Sequence, residues 1–123
     1  PCRHRDGLDR MVVCGASTLP DWHYGTSSGE QRDRMRLLSW NIHKGIGGRD
    51  RRYSLARILD TIEAENPDLV CLQEVDRLVA RSHYDDQPRL LGSYFRCHSV
   101  FQSNVHVGGG TYGNLVLSRW PVC

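Results

Sequence analysis

An α/β fold with parallel strands is predicted by three features of the sequence. Two short apolar runs, Leu37-Leu38-Ser39-Trp40-Asn41-Ile42-His43 and Leu69-Val70-Cys71-Leu72-Gln73-Glu74-Val75, each end in polar residues. A helical stripe lies between them, and glycines or charges bound each piece. A strand, a helix and a second strand in one sheet normally make a right-handed crossover with parallel strands.

Each element has a local reason. Residues 35–42 are apolar and β-compatible, with charges before them and glycines after, as in a largely buried strand. The loop that follows carries Gly45, Gly47 and Gly48 with Arg49, Arg51 and Arg52, but it matches neither GxGxxG nor GxxxxGK[ST]. Ser54 suits a helix N-cap, and Leu55, Ile58, Leu59 and Ile62 then fall on one face. Pro67 stops that helix, and residues 68–75 form the second strand. Downstream, residues 76–89 are too mixed for a strand, and residues 87–91 suit a short helix before Gly92. Residues 94–101 read as a third strand, 104–112 as a glycine-rich connection and 114–118 as a fourth strand.

The crossover places the C-terminal ends of both parallel strands, Asn41 and Glu74, at one edge of the sheet, where ligands of α/β sheets gather. An amide and a carboxylate side by side are hard oxygen donors suited to Mg²⁺. Spacing alone leaves other readings open: Glu74 as a solvated strand terminus, and Asn41 as a turn cap.

Composition narrows the function classes. With 39% hydrophobic and 24% charged residues the chain reads as folded rather than disordered. At 123 residues it holds at most one domain. A formal charge of +2 carries no nucleic-acid signature, and the arginines of the glycine loop suit a solvated loop as well as a phosphate contact. The five cysteines are odd in number with no CxxC pair, which argues for reduced thiols in a cytoplasmic protein. No apolar run reaches the ~20 residues of a membrane span. Residues 1–34 are broken by Gly15, Pro20, Gly25 and Gly29 and precede Met35, so they read as a leader or extension, with the domain over 35–123. Nothing indicates an obligate protein partner.

Three segments in order, Ser39-Trp40-Asn41-Ile42-His43, Leu72-Gln73-Glu74-Val75-Asp76 and Tyr112-Gly113-Asn114-Leu115-Val116-Leu117-Ser118-Arg119-Trp120-Pro121, resemble the endonuclease/exonuclease/phosphatase superfamily. The resemblance implies a deoxyribonuclease I-like fold, a four-layer α/β sandwich of two β-sheets flanked by helices. It also implies Mg²⁺- or Mn²⁺-dependent hydrolysis of a phosphate ester, in nucleic acid or a phospholipid head group. By resemblance Glu74 is the metal carboxylate, and Asn41 joins it at the metal and the scissile phosphate. His43 and Asn114 are carried over as substrate contacts. Members of the superfamily also have a second half with an Asp-x-Asn pair and a terminal Ser-Asp-His, and neither motif occurs in this sequence. The expectation is therefore the N-terminal half of such a domain, inactive or nearly so by itself. A reading from another class is a non-catalytic binding module with a weak Mg²⁺ or phosphate site.

Overall fold

The computed structural model describes residues 35–123. The leader assigned to residues 1–34 lies outside the described residues. Strand β1 (Leu37–Asn41) leads through a tight turn and a loop into helix α1 (Leu55–Glu65), which returns the chain to strand β2 (Leu69–Arg77). Strands β1 and β2 are parallel, with Leu37 opposite Leu69 and Asn41 opposite Gln73, so the predicted crossover is present. Helix α2 (Gln87–Phe95) follows, and then strands β3 (His98–Val107) and β4 (Gly110–Ser118) form an antiparallel hairpin. Strand β4 also pairs antiparallel with β2, which gives one mixed sheet in the order β1-β2-β4-β3.

Helix α1 begins where Ser54 accepts a hydrogen bond from the Arg57 N–H. It ends at Asn66, whose left-handed backbone returns its N–H to the Ile62 and Glu63 carbonyls before Pro67. Its buried residues, Ile58 and Ile62, pack with Leu91 and Phe95 of α2 against Val70, Leu72, Leu115 and Leu117 of the sheet. All four helix positions and all four strand positions are almost fully removed from water, so this single face is the core. Asp68 and Arg119 form an ion pair of 3.1 Å beside it and tie the end of β4 to the corner between α1 and β2.

Two sequence expectations are corrected. Helix α2 runs through Tyr94 and Phe95, which read in the sequence as the start of a third strand. Leu91 and Phe95, four residues apart, both reach the core, and Gly92 permits a close approach because a Cβ there would lie 2.9 Å from the Ser99 hydroxyl. Residues 104–112 are not a loop but the facing ends of β3 and β4, closed by the two-residue Gly108-Gly109 turn with Gly108 at φ +57°.

Among the described residues no helix is long and apolar enough to cross a membrane. Cys71 and Cys97 are free thiols.

Candidate functional site

Glu74 does not stand at the end of its strand, because β2 continues to Arg77. A β-bulge presents it instead. Leu72 pairs with Leu115 and Val75 with Gly113, so Gln73 and Glu74 together oppose Asn114. In a regular strand Glu74 would follow Leu72 onto the core face, since side chains two apart share a side. The extra residue hands that core position to Val75, which is fully buried, and turns Glu74 out. Glu74 meets the demand with a left-handed backbone, φ +56°, uncommon for a residue with a side chain.

The tip of β1 meets it from the neighbouring strand. Asn41 makes an Asx turn, accepting the His43 N–H on its amide oxygen at 3.0 Å, and its amide nitrogen donates to Glu74 Oε1 at 3.0 Å. The partners settle the amide's orientation, because a carboxylate only accepts and an N–H only donates. The turn continues through His43, Lys44 and Gly45 at φ 48°, 61° and 77°. Glycine is required at position 45, where a Cβ would lie 2.8 Å from the Tyr53 ring. This left-handed run carries two basic groups back over the carboxylate: Lys44 Nζ donates to Glu74 Oε2 at 2.6 Å, and His43 Nδ1 lies 3.3 Å from the same oxygen.

The Lys44 ammonium first, and the Asn41 amide next, stabilise the ionised carboxylate and lower the Glu74 pKa from 4.5 to about 2, against a smaller opposing effect of burial. Glu74 is thus an anion throughout the physiological range.

Around this centre lies a further polar layer. Asp76, fully buried, accepts from Arg81 Nε at 2.8 Å, Arg81 Nη2 at 2.7 Å and the Ser82 hydroxyl at 3.0 Å. Arg81 and Lys44 both lie 5.4 Å from the centroid of the Tyr112 ring. Hydrogen bonding to Asp76 and the nearby Glu74 charge keep the Arg81 guanidinium firmly protonated, against an opposing effect of burial. Beside the turn, Tyr53 donates to Asp85 at 2.6 Å, and burial followed by this bond pushes its phenol pKa well up.

The structure therefore brings Asn41, His43 and Glu74 into direct contact. Asn114 is exposed on β4 and reaches the site by register alone, across from the bulge. Arg49, Arg51 and Arg52 are exposed in the loop before α1. Sequence reasoning missed Lys44, Arg81 and Tyr112. One signal for Lys44 was available, because it is the sole lysine among sixteen Lys and Arg residues.

The donor set can be tested against a divalent cation. Among the described residues no group of three or more His, Cys, Asp or Glu could hold a metal ion. An all-protein cage is absent there, but Mg²⁺ is commonly held by one or two carboxylates with waters and substrate phosphate, which Glu74 fits. The Asn41 oxygen is engaged by the His43 N–H, so direct ligation by Asn41 requires that bond to open.

The family model described as Endonuclease/Exonuclease/phosphatase family matches residues 38–123. The uncharacterized proteins YbhP of Escherichia coli strain K12 and of Shigella flexneri are each 31% identical to the chain over 103 residues, covering 75% of it. The chain spans 39% of the length of these relatives. Among solved structures, an endonuclease/exonuclease/phosphatase from Beutenbergia cavernae DSM 12333 superimposes with a TM-score of 0.60 at 28% identity. That match covers 71% of this chain and 26% of the other. The mixed sheet with its helices thus matches part of an endonuclease/exonuclease/phosphatase fold.

Proposed function

The chain belongs to the Endonuclease/Exonuclease/phosphatase family, and from that premise we propose that it supplies the metal-carboxylate side of a phosphodiester-hydrolysing site. The supporting observation is Glu74, an ionised carboxylate turned out of the core by a bulge and ringed by Asn41, His43 and Lys44. Glu74 would hold Mg²⁺ or Mn²⁺, which when bound polarises a phosphoryl oxygen and offsets developing negative charge. Asn41 orients the carboxylate through its amide nitrogen and flanks the phosphate. The Lys44 ammonium, with the His43 imidazole on the same side, favours an anionic substrate. Asn114, exposed opposite the bulge, is the outer substrate contact. The substrate class is a phosphate ester of nucleic acid or of a phospholipid head group.

Among the described residues the direct side-chain partners of Glu74 are Asn41, His43 and Lys44, and no second carboxylate joins them. The 123 residues alone are accordingly proposed to bind a divalent ion weakly and to turn over little or nothing, since the described partners of Glu74 include no second carboxylate to position a water for attack. The test pairs two measurements on the chain and on Glu74→Gln: Mn²⁺ titration by electron paramagnetic resonance, and hydrolysis of bis(4-nitrophenyl) phosphate with Mg²⁺ or Mn²⁺. The expected result is weak Mn²⁺ binding that the substitution abolishes, with turnover at background. Mn²⁺ binding unchanged in Glu74→Gln overturns the metal assignment. Robust turnover lost in Glu74→Gln overturns the proposed inactivity and leaves the reaction class standing.

A further inference from the structure

Gln87 is fully buried although it is a polar residue at the first position of α2. Its carboxamide spans two elements far apart in sequence. Nε2 donates to the Lys44 carbonyl at 2.9 Å, and Oε1 accepts the Asp76 N–H at 2.9 Å. The partners define the amide's orientation, because the carbonyl only accepts and the N–H only donates. One side of this bridge is the left-handed turn whose ammonium rests on Glu74; the other is the strand segment just past the bulge that presents Glu74.

We propose that Gln87 is a positioning residue for this site. By fixing the Lys44 carbonyl to the backbone of β2, it holds the Lys44 ammonium at the Glu74 carboxylate. The geometry makes this specific. Lys44 has φ +61°, a conformation its own side chain does not favour, so the turn needs an external tie. Its neighbour Gly45 is packed against Tyr53, and the Gly45 carbonyl accepts the Ser54 N–H. Those contacts anchor the far side of the turn. Among the described residues Asn41 ties the His43 N–H to the Glu74 side chain, whereas Gln87 ties the Lys44 carbonyl to the backbone of the strand bearing Glu74. A methionine of similar length would fill the space and leave both backbone groups unsatisfied. A glutamate would keep the acceptor for the Asp76 N–H and, when ionised, lose the donor to Lys44. The two variants therefore separate the bridge into its halves.

The inference rests on the proposed reading for its functional meaning, but its test needs neither metal nor turnover. Lys44 is the sole lysine of the sequence, so amine acylation reports its ε-amino group directly. Acetic anhydride at limiting concentration is applied to the chain and to Gln87→Met, Gln87→Glu and Glu74→Gln. Peptide mapping by mass spectrometry gives the Lys44 rate, with the α-amino group as internal standard and tryptophan fluorescence verifying that each protein is folded. In the parent chain the Lys44 nitrogen is held against the Glu74 carboxylate at 2.6 Å, which hinders approach of the reagent, and acylation is slow. Glu74→Gln sets the released limit. Both Gln87 variants should accelerate Lys44 acylation about fivefold, the factor that one net hydrogen bond supplies. A Lys44 rate unchanged in both folded Gln87 variants, with Glu74→Gln accelerated, overturns the positioning role even where their melting temperatures fall. An unaccelerated Glu74→Gln overturns it as well, because there would be no pair for Gln87 to hold. Loss of the phosphoesterase reading would leave these rates unaffected.

Discussion

Arg81→Met removes the guanidinium from a fully buried carboxylate and keeps the bulk of the side chain. Asp76 has no exposed side-chain surface and receives two guanidinium hydrogen bonds and one from Ser82. After the substitution only the Ser82 hydroxyl remains of these side-chain donors. Breaking a fully buried pair from one side costs about 3–5 kcal/mol. Arg81 itself is 37% exposed, so water reaches one side of the gap and the expected loss is about 2–3 kcal/mol. For a domain of this size that corresponds to a fall in Tm of roughly 10–20 °C. The assay is urea unfolding followed by tryptophan fluorescence for the parent, Arg81→Met, Asp76→Leu and the double variant. Replacing both partners by apolar groups should restore most of the loss, because no charge is then left buried, and Ser82 still donates to the Val79 carbonyl. A single-variant cost below about 1 kcal/mol, or a double variant no more stable than the single, would refute the reasoning that Asp76 depends on Arg81.

Other outcomes follow from the same geometry. The Glu74 pKa is depressed in the folded chain, so the ion pair contributes stability above the ordinary value of 4.5 and loses it as pH falls towards about 2. Both side chains are 24% exposed, and screening reduces the contribution to about 1 kcal/mol; Lys44→Met should flatten the acid limb of the stability profile between those two values, and an unchanged limb would count against the pair. Gly113→Ala would set a Cβ 1.9 Å from the Gln102 carbonyl oxygen, a backbone atom that cannot give way cheaply. The expected destabilisation is about 2–3 kcal/mol by chemical denaturation, and a neutral result would show that the β3–β4 pairing is looser than described.

Local chemistry determined a good deal of this protein. The parallel pair, the α1 stripe ending before Pro67 and the meeting of Asn41 with Glu74 were all legible, because apolar periodicity and cap residues act within a few positions of themselves. The three matched segments also pointed to the family that the comparisons established. What the tertiary structure alone decided is how Glu74 comes to be there. Alternation along β2 would have put it in the core beside Leu72, and only pairing with β4, forty residues later in the chain, creates the bulge that turns it out. Asn114 likewise became a neighbour of the site through that register. The extension of α2 through Phe95 was hidden because Gly92 reads as a helix breaker until Ser99 is seen to need its space. Lys44 opens the glycine loop of the sequence; its backbone is tied beside Glu74 through Gln87, at a separation of 43 residues. Such contacts leave no local pattern, because they are selected by the burial and pairing of whole elements rather than by the preferences of adjacent residues.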